Sequence, residues 1–454
     1  MNTTLISNRM LRSGVAAAVA LVLATAALPA LADSEKEAAL ETRVADLERM
    51  VKQLLAERPA AQAAAPAAAA APVAPAAGPA PAQQTTITPN AAPGTRFFAS
   101  GFIKTDALYT ETTGGYIAEQ SAGRDFYVPA GATMPPSAGS TAKSGNLNAI
   151  AKQSRLILGS DTPIGDKDKV STRFEFDLYG TSSGDQRATN TYGVLLRHAF
   201  IQWREWLVGQ TWSNFMDATA LPETADFIGT TDGTVFVRQP QVRYTSHGFA
   251  VSLENRQTTL TPHGGGTRII SDDGALPDAT ARYTWSQPWG YLSAVAMVRE
   301  LKYRQIGTAI DYSRTTAAGG FSGKFNFGRD DLRFVVNTGD LGRYVALNFA
   351  NDAVIDASGK FQPINGTAGF ISYRHFWVGQ LRSTLGYAME RYRNDAALTG
   401  SLANKESSSW TANLFYSPMP KLDIGGEFRH ATRRLEGGAS TDLTRYELTA
   451  KYSF

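Results

Sequence analysis

From Phe97 to the end of the chain, apolar and polar residues alternate in short segments. In the last stretch, Tyr446, Leu448, Ala450, Tyr452 and Phe454 share one parity, while Arg445, Glu447, Thr449, Lys451 and Ser453 share the other. A period of two marks a strand with two unlike faces. Residues 170–178 repeat it, with Val170, Thr172, Phe174, Phe176 and Leu178 set against Arg173, Glu175 and Asp177. An amphipathic edge strand of a soluble sheet carries the same pattern. A terminal aromatic favours instead the closing strand of an outer-membrane β-barrel, with its apolar face on lipid and its charged face on a wet lumen.

Strands are predicted near 97–109, 150–161, 168–180, 192–205, 206–213, 234–246, 247–257, 278–287, 290–303, 318–328, 331–341, 365–376, 379–393, 407–418, 420–434 and 441–454. Tight breaks such as Ser246-His247-Gly248 and Gln287-Pro288-Trp289-Gly290 alternate with longer ones rich in Gly, Ser, Asn and Asp. Short periplasmic turns and long external loops write a barrel in this way. The expected fold is therefore an all-β transmembrane barrel of sixteen antiparallel strands, both ends periplasmic. Trp203, Trp206, Trp285, Trp289 and Trp377 fall beside short turns, and Trp212 and Trp410 toward the opposite ends. Indole favours the lipid–water boundary, so two aromatic girdles are expected.

Ahead of the barrel the pattern changes three times. Residues 1–32 read as a secretory signal peptide. Arg9 and Arg12 precede an apolar core from Val15 to Ala27, and Ala30-Leu31-Ala32 supplies the cleavage pattern. A membrane anchor is the alternative, but the apolar run is short. Residues 33–58 read as a periplasmic helix in which Leu40, Val44, Leu47, Val51 and Leu54 step by four and three. That is a short coiled-coil seam, with valine at a and leucine at d. A single helix lying on a surface is the plainer alternative. Pro59 ends it, and 59–95 is an Ala/Pro-rich spacer able to reach about 100 Å at roughly 3.1 Å per residue.

Composition narrows the picture. There is no cysteine, which excludes thiol chemistry and disulfides. A formal net charge of +3 gives no nucleic-acid signal. Beyond the N-terminus no run reaches eighteen apolar residues, so a helical membrane protein is excluded.

Alternation also assigns the charges. Lys104, Arg155, Arg173, Arg243, Arg256, Arg282, Lys324, Arg333, Arg374, Arg382, Arg429, Arg445 and Lys451 are predicted to point inward. The inward acids are Asp106, Glu175, Asp177, Glu254, Glu390, Asp423, Glu427 and Glu447, which leaves the wall net positive. A positive wall in a low-dielectric cylinder attracts anions. If neighbouring acids cancel these bases, the hole is merely polar. The phase of 192–205 and 290–303 is not readable, so Arg197 and Arg299 are assigned less firmly. The third long break, 213–234, carries Phe215, Met216, Leu221, Phe227 and Ile228. Such residues suit a loop folded into the lumen better than a surface cap. Its acids Asp217, Glu223, Asp226 and Asp232 are then expected to face Arg238 and Arg243 across a constriction.

Leu196-Arg197-His198-Ala199-Phe200, the run from Trp206 to Phe215, Ala220-Leu221-Pro222, and the run from Arg238 to Tyr244 resemble the DcaP-like family of outer-membrane porins. The coiled coil joined by a spacer to a barrel resembles it too. The resemblance implies a homotrimer of sixteen-strand barrels in the outer membrane of a Gram-negative bacterium. It further implies passage of small anionic solutes, dicarboxylates above all, past constriction arginines matched here by Arg238 and Arg243, with Arg197 a wall partner. The acids of 217–232 and the long spacer depart from that pattern and leave the preferred solute open. Contact of the N-terminal region with peptidoglycan, as an envelope tether, is a separate expectation. The partners expected are thus outer-membrane lipid, further copies of the chain and small anions.

Other motifs carry little. Gly264-Gly265-Gly266 precedes neither a lysine nor a helix, and is no phosphate loop. His198, His247, His263, His375 and His430 lack metal-ligand spacing. No local nucleophile–base arrangement points to an enzyme. No catalytic residue, metal or cofactor is expected.

Overall fold

The computed structural model describes residues 49, 90–133, 141–180, 190, 192–307 and 310–454. The chain divides into Met1–Pro89 and Asn90–Phe454. In the first unit only Arg49, in helical conformation, is described. The signal peptide, the coiled-coil seam and the spacer otherwise lie outside the described residues.

The second unit is a closed barrel of sixteen antiparallel strands. They are β1 (Arg96–Thr113), β2 in two segments (Lys143–Ile150 and Arg155–Ile164), β3 (Asp168–Gly180), β4 (Gly193–Trp203), β5 (Trp206–Trp212), β6 (Arg238–Ser246), β7 (Phe249–Glu254), β8 (Asp278–Gln287), β9 (Gly290–Arg304), β10 (Asp311–Phe327), β11 (Asp330–Gly339), β12 (Asn365–Val378), β13 (Leu381–Arg393), β14 (Asn404–Met419), β15 (Leu422–Leu435) and β16 (Ser440–Ser453). Each pairs with its sequence neighbour, and β16 closes on β1 from Phe102↔Ser453 to Thr113↔Asp442. The seam ends where the Phe454 amide donates to the Gly101 carbonyl at 3.0 Å. Only glycine fits at 101, because a Cβ there would lie 2.1 Å from the Arg155 carbonyl oxygen.

The alternation that defines the strands also sorts their faces. On β16, Leu448 is 68% exposed, whereas Arg445 is 1% exposed. The apolar face is thus presented outward, where lipid would cover it, and polar groups fill the inside. Trp203, Trp206, Trp285, Trp377 and Trp410 are exposed on that outer face. Trp212 is not a girdle residue. It is partly buried, with its ring centroid 4.8 Å from that of Phe236 inside the barrel. The physical reason is local: beyond Trp212 the chain leaves the wall and turns inward.

Two boundaries differ most from expectation. The second strand begins at Lys143 and is broken by a turn in which the Ser154 amide donates to Ala151 O at 3.1 Å. The tenth begins at Asp311 rather than 318.

The barrel interior is filled by its own connections. The third long loop, 213–237, folds inward and buries Phe215, Met216, Ala225, Ile228 and Val235. The sixth, 340–364, also enters, and its Val345 forms a bridge with Val235. Tyr344, Val345, Phe349 and Ala350 pack with Phe215, Met216 and Val235 against Val295 and Met297 of β9. This core lies inside the cylinder, an inversion of the usual arrangement in which a sheet packs its apolar side against a neighbour. The first long loop supplies Tyr127, whose hydroxyl donates to Asp232 at 2.7 Å.

Candidate functional site

Loop three is tied to the wall along its length, and those ties decide where an opening can remain. Asp217 accepts from Tyr291 on β9 at 3.0 Å and from Ser322 on β10 at 2.6 Å, and lies 3.8 Å from Arg282 on β8. The Leu221 carbonyl accepts from Arg333 on β11. Glu223 receives a forked contact from Arg382 on β13 and lies 3.5 Å from Arg374 on β12. Ala225 donates to Glu427 on β15 at 2.7 Å and accepts from Lys104 on β1 at the same distance. Asp226 accepts from the Tyr127 amide at 2.8 Å and sits 3.8 Å from Arg445 on β16. Asp232 accepts from Tyr127, Ser407 and Ser409.

The loop therefore runs along the inner wall from β8 round to β1. Its four acids are spent on that wall and do not face Arg238 and Arg243 as expected. The reason is reach: the loop leaves β5 and crosses away from β6, so its carboxylates meet the far arginines first. Lys104 and Arg429 lie on the inner face but beneath the loop. Lys104 is held by Asp106, Gln153 and Ala225 O at 2.6–2.7 Å, and Arg429 is 1% exposed beside Glu427. These two are fastenings of the loop, not groups facing water.

The opposite face, β2 to β6, is different. Arg155, Arg173 and Arg197 come from three adjacent strands and converge on Glu175 at 3.2, 2.8 and 3.0 Å. Arg197 also binds Asp177 at 2.7 Å. Arg238 lies within electrostatic reach of Arg155, Arg197, Glu175 and Asp177. Its guanidinium carbon is 5.0 Å from the Trp212 ring centroid and 5.9 Å from that of Phe236. Arg197 shares the Trp212 ring at 5.5 Å and adds Phe227 at 5.3 Å. Aromatic faces fix a guanidinium without neutralising it. The cluster thus sets four guanidinium groups against two carboxylates. Arg155 Nε, Arg173 Nε and Arg238 Nη1 have no hydrogen-bond partner. Those nitrogens are buried, and Arg374, Arg429 and Arg445 on the loop-covered wall have unpaired nitrogens too, so the surplus of charge and not the unpaired N–H groups sets this face apart.

A β-bulge builds part of this cluster. Opposite β3, the register slips so that His198 faces Glu175 and Leu196 faces Phe176, which makes Arg197 the extra residue. Arg197 and His198 are consequently both buried on the inner side. Below the cluster, Arg243 donates to Gln241 Oε1 at 2.9 Å and to the Trp212 carbonyl. Arg282 donates to Asn214 O at 2.9 Å and Ser293 Oγ at 3.0 Å.

The strand-only count of a positive wall needs correction. Acids from the inward loops, together with Asp278, Asp331 and Asp352, offset most of that excess. Arg299, for example, is flanked by Asp278 at 3.1 Å and Asp352 at 2.6 Å. The surplus survives on the β2–β6 face. Loop six was not anticipated at all. Its run Val345-Ala346-Leu347-Asn348-Phe349-Ala350 carries the same signal as loop three, apolar residues in a long break between strands. Among the described residues, no group of three or more His, Asp or Glu side chains is arranged to hold a metal ion.

Comparison with known proteins agrees with this architecture. The family model described as DcaP outer membrane protein matches residues 24–454. The crystal structure of the outer membrane channel DcaP of Acinetobacter baumannii superposes with a TM-score of 0.65 at 25% identity, covering 80% of this chain and 98% of that one. OmpF of Salmonella typhi in complex with daunomycin gives 0.48 at 11% identity, covering 80% and 98%. A loop-deletion mutant of OmpT from Vibrio cholerae gives 0.47 at 11%, covering 79% and 99%. No curated protein matches the sequence. The chain is an outer-membrane channel of the porin type, and it belongs to the DcaP outer membrane protein family.

Proposed function

We propose that this channel lets small anionic solutes diffuse passively across the outer membrane and prefers dicarboxylates. The observation that carries this reading is the β2–β6 cluster, four guanidinium groups against two carboxylates. Planar guanidinium forks match carboxylates and keep their charge at any physiological pH. Several such groups in a row let an anion step between weak sites without being trapped. A dicarboxylate would engage the cluster with one end while the other reaches Arg243 or Arg282. The working unit on this reading is a homotrimer, with the N-terminal region in the periplasm and free to touch peptidoglycan.

A second reading is a general, sugar-passing porin. It is favoured by the near-complete cancellation of charge along the loop-covered wall. Reversal potentials in planar bilayers under a potassium chloride gradient separate the two. Chloride selectivity, lowered in Arg238→Ala with Arg243→Ala, is the expected result, and potassium selectivity in the unaltered protein excludes it.

A further inference from the structure

A cavity of about 670 Å³ opens among the long loops, away from the arginine cluster and sharing no residue with it. Its volume is that of a small-molecule site. It is enclosed by the loop between β7 and β8, the loop between β11 and β12, the loop between β13 and β14, and β15. No Asp or Glu lines it; Arg268 and Arg433 are its charged residues.

Both arginines are held by neutral oxygens alone. Arg268 donates to Asn351 Oδ1 at 2.5 Å and to the Asn348 carbonyl at 2.7 Å. Arg433 donates to Asn404 Oδ1 at 2.9 and 2.6 Å and to the Ala132 carbonyl at 2.7 Å. At the same end of the barrel Arg434, next in the chain, lies 2.9 Å from Glu406, and Arg304 lies 3.0 Å from Asp311. Amide oxygens orient a guanidinium but leave its charge standing. Two positive charges therefore share a hollow that no acid lines, with Asp352 and Glu390 acting on them only from behind the wall.

The walls are closely fitted. The Gly264 amide donates to Leu398 O at 2.6 Å. A Cβ at Gly265 would come within 2.9 Å of Thr399 O, and one at Gly400 within 2.6 Å of Gly264 O. Gly264, Gly265 and Gly266 all have positive φ, a conformation that favours glycine. The glycine run is thus a backbone seat for this cavity and not a phosphate loop. Phe349 and Ile364 give it apolar surface for a carbon skeleton.

We propose that this cavity is an outer docking site for a small organic carboxylate, which it concentrates at the long-loop mouth before transfer to the β2–β6 cluster. The inference rests on the anion-preferring reading above and extends it to a second site. Attractive charge at a channel mouth raises entry rate more than it alters the permeability ratio set at the narrowest point.

The test uses the full-length protein in planar bilayers, with succinate added to one chamber at a time. Entry rates are read from current fluctuations. The expected result is faster entry from one chamber, and loss of that asymmetry by about fivefold in Arg268→Gln with Arg433→Gln. Thr267→Trp fills the cavity while keeping both arginines, and is expected to remove the asymmetry equally. In both variants chloride reversal potential should stay at the wild-type value, which also reports a folded channel. Equal entry from both chambers, or asymmetry unchanged in both variants, overturns the docking site. Competition by sulfate as strong as that by succinate overturns its preference for a carbon skeleton. Potassium selectivity in the wild type would instead overturn the constriction reading.

Discussion

The two halves of the inner wall carry similar residues and end in opposite states. From β12 round to β1, arginines and acids alternate just as they do from β2 to β6. Yet Arg429 and Arg445 are sealed at 1% exposure, while on the other half Arg197 is buried but Arg173 keeps a side chain that is 43% exposed. The difference comes from how loop three meets each half: it sets carboxylates and carbonyls on one, and only the aromatic rings of Phe227 and Phe236 on the other. Inward charge is therefore a necessary property of a selectivity residue and an insufficient one. What matters is whether a second layer of chain has consumed it.

Four variants bear on that contrast. The largest effect is expected from Arg429→Ala, on the covered half. It strips a buried partner from Glu427 and should lower stability by about 3–5 kcal/mol, as breaking buried ion pairs does. Urea-induced unfolding from lipid vesicles would measure it. If selectivity fell while stability held, the two halves would not differ as described. Next comes Arg197→Ala with Arg238→Ala on the open half, which leaves two guanidinium groups against two carboxylates. The chloride-to-potassium permeability ratio should drop about tenfold. Glu223→Gln removes one of two carboxylates from Arg374 and from Arg382, which keep Asp331 and Asp423, and should raise that ratio about threefold. An unchanged ratio would mean that these arginines stay out of the solute's path. The smallest effect is expected for Trp212→Leu, which removes the ring beneath Arg197 and Arg238. A cation–π contact at an exposed site is worth about 0.5 kcal/mol, so the ratio should fall by about twofold.

The fold was legible because a barrel wall is written with a period of two, and each of the sixteen strands overlaps its expected segment. Where the phase could not be read, the cause is physical in each case. In β4 a bulge turns both Arg197 and His198 inward, and strict alternation cannot express two consecutive inward residues. In β9 the alternation is regular, but Val295, Met297 and Leu301 are buried inside because loops pack on them. Apolar residues then lie on both faces and the contrast between parities disappears. The inward fold of loop three was legible from its apolar residues. The partners of its acids were not, since pairing between Glu223 and Arg382 depends on the path of the loop through space. Trp212 was misplaced for a related reason: position along a strand says nothing about a chain that bends inward at its next residue.

The fastening of loop three has a consequence for the electrical behaviour of the channel. A partition stitched to β8, β9, β10, β11, β12, β13, β14, β15, β16 and β1, and zipped to loop six through Val235 and Val345, has no free arm to swing. An applied voltage would have to undo several unrelated bonds together to shut or widen the gap. Recordings should therefore show one steady open level with little flicker, and an inherited change of preference would arise by repainting the uncovered wall while the divider stays as it is.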